Sequence, residues 1–80
     1  MAMQTIQEVR AYLEKEQGLA GEPVNPEYQV FTTLLNLANR CDSVADFTTQ
    51  ARALPVDGPE EEVKEAQAWL RIALDTIEGR

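Results

Sequence analysis

Between Pro26 and Cys41 the chain separates apolar from polar positions with the period of an α-helix. At 100° per residue, Val30, Phe31, Leu34, Leu35, Leu37, Ala38 and Cys41 fall within about 160° of arc, and Gln29, Thr32, Thr33, Asn36, Asn39 and Arg40 take the opposite side. Asn25 stands in the N-cap position and Pro26 at the first helical position, where a missing amide hydrogen costs nothing. This segment is the expected core helix. Its polar side carries amides and hydroxyls with almost no charge, a surface suited to being partly covered.

The same period runs through the rest of the chain. Thr5 with Glu8 three residues on forms a capping box, and Ile6, Val9 and Leu13 then recur on one side until Gly18 offers a left-handed stop. Ser43 with Asp46 repeats that cap, followed by Val44, Phe47, Ala51 and Leu54 up to Pro55. In the last segment Pro59 occupies a first helical position and Glu60, Glu61 and Glu62 fill the first turn, where negative charge meets the positive end of the helix dipole. Val63, Ala66, Leu70, Ala73, Leu74 and Ile77 line its inward side. No stretch alternates with period two. The pattern predicts an all-α fold, a compact small bundle of four helices at about 5–17, 26–41, 43–54 and 59–78, the third short and the turns tight.

Length and composition change this picture in one respect. Eighty residues make a single helical domain, 1–80, and the three Ile, eight Leu, six Val and two Phe suffice for a folded core. At this size a core seldom supplies more than about 3–5 kcal/mol, and disulfides, a metal or a second subunit usually supplement it. Cys41 is the only cysteine and there is no histidine, so neither an intrachain disulfide nor an ordinary zinc site can be assembled. A partner remains, and a homodimer is the first to expect, because two-fold dimers are the commonest soluble assembly.

Charge narrows the classes of partner. A net charge of −7 opposes binding to phosphate backbones and to anionic membrane surfaces. The opening MAMQTIQEVR lacks the apolar core of a secretory signal, and no run is long enough to span a bilayer. With one free cysteine, the expected location is cytoplasmic.

Candidate chemistry is sparse. Asp57, Glu60, Glu61, Glu62 and Glu65 form an acidic cluster, but they lack the alternating spacing and central glycine of a calcium loop; they cap a helix and offer a surface to a basic protein partner. Cys41 lies in the middle of an apolar arc with no histidine to activate it, which makes it a buried structural thiol. A helix-turn-helix reading of residues 43–54 fails on charge, since that helix offers only Asp46 and Arg52. Asp42-Ser43-Val44 resembles the Asp-Ser-Leu of acyl carrier proteins, and that resemblance implies Ser43 as a phosphopantetheine attachment site and basic partner enzymes for the acidic surface. A helix cap explains Ser43 and Asp46 without a cofactor.

Trp69, the only tryptophan, lies about 40° outside the inward stripe of the last helix, and Ile72 about 100° from the stripe's edge. Trp69, Ile72, Ala73 and Thr76 are spaced by three and four and form the expected interface patch. The expected function is a non-enzymatic protein–protein interaction module, an adaptor, inhibitor or small regulatory subunit, with no metal and no cofactor. The alternative is an acidic nucleic-acid mimic that inhibits a basic nucleic-acid-binding protein, an economy seen among small phage-encoded and bacterial inhibitors.

Overall fold

Four helices and no strand make up the computed structural model, which describes residues 1–80: α1 (Ile6–Leu19), α2 (Pro26–Ala38), α3 (Val44–Arg52) and α4 (Glu60–Glu78). The serine/threonine half of each capping box forms, whereas the Glu8 carboxylate accepts the Thr5 hydroxyl and the Asp46 carboxylate the Gln50 side-chain amide, neither returning to the cap backbone N–H. Thr5 accepts the Glu8 amide at 3.2 Å, and Ser43 accepts the Asp46 amide at 3.1 Å.

Several boundaries differ from the sequence reading; α3 spans Val44–Arg52 instead of 43–54, its end capped by Ala53. α1 continues through Gly18 to Leu19, and the left-handed glycine is Gly21 at φ 84°. A Cβ at Gly21 would sit 3.0 Å from Asn25 Nδ2, because that side chain reaches back to donate to the Ala20 carbonyl at 3.0 Å. Asn25 keeps the N-cap backbone position of α2 while its Nδ2 donates to the end of α1, and its side chain makes no cap hydrogen bond to α2. α2 stops at Ala38 rather than Cys41, since the amides of Arg40 and Cys41 turn back to Leu37 and Ala38, three residues away, and tighten the last turn. Pro59 is the N-cap of α4 rather than its first helical residue, and its carbonyl accepts the Val63 amide at 2.9 Å.

α2 is the central helix and packs against the other three. The core joins Val9 and Leu13 of α1, Phe31 and Leu34 of α2, Phe47 and Ala51 of α3, and Ala73 and Ile77 of α4. Large side chains such as Phe31 and Leu34 each gain about 1.5–3 kcal/mol by full burial, which is why α2 carries three of them on one side. On its other side Thr32 accepts a hydrogen bond from Gln17 of α1 at 2.6 Å, while Thr33 and Asn36 stay exposed.

Arg10 supplies a tie that helical periodicity does not reveal. Its Nε donates to the Ala38 carbonyl at 3.0 Å and one terminal nitrogen donates to the Cys41 carbonyl at 2.9 Å. One guanidinium on α1 thus ties down two carbonyls at and just beyond the end of α2, the Ala38 carbonyl already accepting the Cys41 amide.

The chain ends meet. The Met3 amide donates to the Ile77 carbonyl at 2.8 Å, and a Cβ at Gly79, which sits at φ 76°, would strike the backbone of Met1 and Ala2. Gly79 also closes α4: the Arg80 amide reaches the Asp75 carbonyl at 2.8 Å and the Gly79 amide that of Thr76 at 3.2 Å, the paired bonds of a Schellman stop.

Candidate functional site

The interface patch predicted on α4 is divided by the fold. Ala73 is fully buried and belongs to the core, so it contributes nothing to a surface. Trp69 is half-buried, its ring centroid 6.2 Å from that of Phe31 at an interplanar angle of 60°. Tyr12 of α1 meets the same Phe31 ring at 6.3 Å and 84°. Phe31 is therefore gripped by two edge contacts, each contributing about 0.5–1.5 kcal/mol beyond area burial. Trp69 is the outer wall of the core on this flank.

Ile72 is different. It is 48% exposed on the outer side of α4, and Thr76 beside it is exposed, its hydroxyl donating to the Ile72 carbonyl at 2.9 Å. The Tyr12 hydroxyl rests near Thr76, and its pKa is raised above the ordinary 10.0 by burial, with Thr76 opposing the shift and the Glu16 carboxylate adding to it. The surface remainder of the predicted patch is thus Ile72, Thr76 and the visible edge of Trp69, with the half-buried Tyr12 of α1 beside it.

The acidic residues stand where the sequence puts them, at the start of α4. Asp57, Glu60, Glu61, Glu62 and Glu65 are all exposed, and Glu60 pairs with Lys64 at 3.5 Å across one helical turn. What periodicity does not show is that two of them border a concavity. The segment from Pro55 to Pro59 cannot continue α3: Pro55 removes a helix amide, Gly58 takes φ 140°, and Pro59 sets the entry of α4. Between α2, this loop and the first turns of α4 lies a groove of about 180 Å³, whose lining includes Val30, Leu34, Leu54, Ala66 and Leu70 together with Asp57 and Glu62; no lysine or arginine lines it.

A second concavity of about 260 Å³ lies at the other end of α4. It gathers Arg52, Arg71 and Arg80, but each has a carboxylate: Arg52 and Arg80 both meet Glu78, the latter at 3.3 Å, and Arg71 meets Asp75 at 4.0 Å. Every arginine at this end lies within ion-pair distance of a carboxylate, Glu78 serving two of them.

The remaining candidates are structural. Cys41 is buried, and its thiol pKa is raised above the ordinary 9.0 first by desolvation and then by the Asp46 and Asp42 carboxylates. That direction keeps it protonated and unreactive. Ser43 caps α3, as described above. No three His, Cys, Asp or Glu side chains gather closely enough to hold a metal ion, and no helix is long and apolar enough to cross a membrane. No known protein family, curated protein or solved structure matches the chain.

Proposed function

We propose that the chain is a non-enzymatic interaction module, an adaptor, inhibitor or small regulatory subunit that acts by occupying a surface of another protein. The observation that carries this reading is Ile72. The inward side of α4 is already filled by Ala73, Leu74 and Ile77, and a large aliphatic residue on the outer side, flanked by the half-buried Trp69, adds nothing to the core. Apolar and aromatic anchors in a charged surround are the usual composition of interface centres.

A second copy is the first partner to test, and a foreign protein with a basic face the next. Light scattering on the wild type and on Ile72→Glu reads this directly. A dimer converted to a folded monomer is the expected result, with the intrinsic stability of the monomeric unit changed by no more than about 0.5 kcal/mol. A wild type monomeric at high concentration assigns the patch to a foreign partner, whose capture Ile72→Glu should then abolish. An Ile72→Glu chain that unfolds, or that associates as the wild type does, removes the reading. Mimicry of nucleic acid is favoured by the exposed acids of residues 57–65, but these gather at one end of α4 instead of tracing two phosphate rows.

A further inference from the structure

The groove between α2 and the start of α4 is independent of the Ile72 flank, and three of its properties together specify an occupant. Seven of its thirteen lining residues are hydrophobic, Val30, Leu34, Leu54 and Leu70 among them, with Gln29 and Thr33 as uncharged polar neighbours. Its volume, about 180 Å³, exceeds the about 150 Å³ of an apolar cavity that takes up benzene, so it has room for one large side chain. Its charged lining is entirely negative, Asp57 and Glu62, with exposed Glu60 and Glu61 on the adjoining turn. The lysine of that turn, Lys64, sits within ion-pair distance of Glu60. An acidic side chain entering beside the apolar anchor would meet like charge, whereas a lysine or arginine on either side of it would gain charge-assisted contacts and faster encounter.

We infer that this groove is the docking site for a basic segment of a protein partner, which inserts a single leucine, phenylalanine or tryptophan side chain between flanking lysines or arginines. The inference rests on the reading of the chain as an interaction module and supplies the chemistry of its partner. It also gives the acidic cluster a role that helix capping does not require: Asp57 precedes α4, and Glu62 contributes to the groove lining.

The test is an amide chemical-shift titration of the isotope-labelled protein with four short peptides: tryptophan flanked by lysines, tryptophan flanked by glutamates, tryptophan flanked by serines, and serine flanked by lysines. The lysine-flanked tryptophan peptide should shift the amides of Val30, Leu34, Leu54, Asp57, Ala66 and Leu70. It should bind at least about tenfold more tightly than the other three and weaken as salt screens the acids. Ala66→Leu, which fills the groove, should abolish binding. Asp57→Asn with Glu62→Gln changes only exposed positions and should weaken it several-fold while leaving the circular dichroism spectrum unchanged.

Equal binding of the glutamate-flanked tryptophan would overturn the basic partner and leave a general apolar site. Shifts mapping elsewhere, or no binding by any peptide, would overturn the groove itself. Neither result touches the Ile72 measurement. A chain that dimerises through Ile72 with an indifferent groove keeps the function and loses this inference; a groove that binds while Ile72→Glu associates as the wild type does loses the first reading and keeps this one.

Discussion

The two halves of α4 are one continuous helix, yet they solve different problems. From Leu70 to Ile77 the helix supplies Ala73, Leu74 and Ile77 to the core, and the chain's own beginning lies against its end through Met3. From Glu60 to Ala68 nothing is fully buried; Val63 and Ala66 are only half-covered and the rest of that half points to solvent. The difference comes from what stands opposite each half. α2 and the N-terminal segment pack on the second half, whereas the first half faces α2 and the loop 53–59 across an open groove. The Cα radius of gyration, 11.8 Å, is close to the about 11.6 Å of a compact chain this long, so the groove is a local opening in a packed molecule. The lesson is that a uniform apolar stripe along a helix does not imply uniform burial.

The comparison breaks most sharply on paired truncations. Ile77→Ala, in the packed half, should remove about 2–5 kcal/mol, close to the whole stability expected at this length, and leave a largely unfolded chain. Val63→Ala, in the presented half, removes the same kind of apolar surface from a half-covered site and should cost about 1 kcal/mol or less. Urea unfolding of the two variants side by side gives the ratio, and equal losses would mean that the presented half is core after all.

Arg10→Leu sharpens the packed side. It deletes both hydrogen bonds to the end of α2 and should cost about 1.5–3 kcal/mol, measured by the same unfolding curves. An effect below about 0.5 kcal/mol would show that the α2 carbonyls are satisfied equally well by water.

The smallest effect is a titration. Cys41 and Tyr12 both have raised pKa values, so the unfolded chain loses those protons first as pH increases. Their contribution is fully present below the ordinary values of 9.0 and 10.0 and is lost as pH rises through the folded values. Thermal melts from about pH 8 to about pH 11 should show a falling midpoint, and Cys41→Ala and Tyr12→Phe should each flatten part of that fall. A midpoint insensitive to alkali would contradict the burial assigned to both groups.

Legibility in the sequence followed the range of the interactions involved. Thr5, Ser43 and the acids of the α4 first turn act within one turn of the chain, and spacing alone revealed them. The four helices and the burial of Phe31, Leu34 and Cys41 follow from periodicity, which reports the side of a helix that faces inward. Gly18 misled because a glycine tolerated inside a helix looks like a stop; Gly21 is fixed by contact with Asn25, and that contact depends on how α1 and α2 approach. Ala73 and Trp69 lay at the margin of the inward arc, where the neighbour decides. Phe31 stands against Trp69 and draws it to the core. Arg10 and the groove were out of reach for the same reason, since each is defined by residues far apart in sequence. A charged residue on a predicted helix surface, aligned with a helix end lacking its own cap, is the signal that would have pointed to Arg10.

The meeting of the chain ends at Gly79 and Met3 makes the backbone almost a ring. A few flexible residues would suffice to join Arg80 to Met1, and the loop at Pro55–Gly58 is the natural place to cut the ring again. Such a circular permutant would enter the fold with α4 first and keep every helix intact. For the same reason the whole domain can be spliced into a surface turn of a host protein, its two attachment points side by side, so that the host is interrupted without being pried apart.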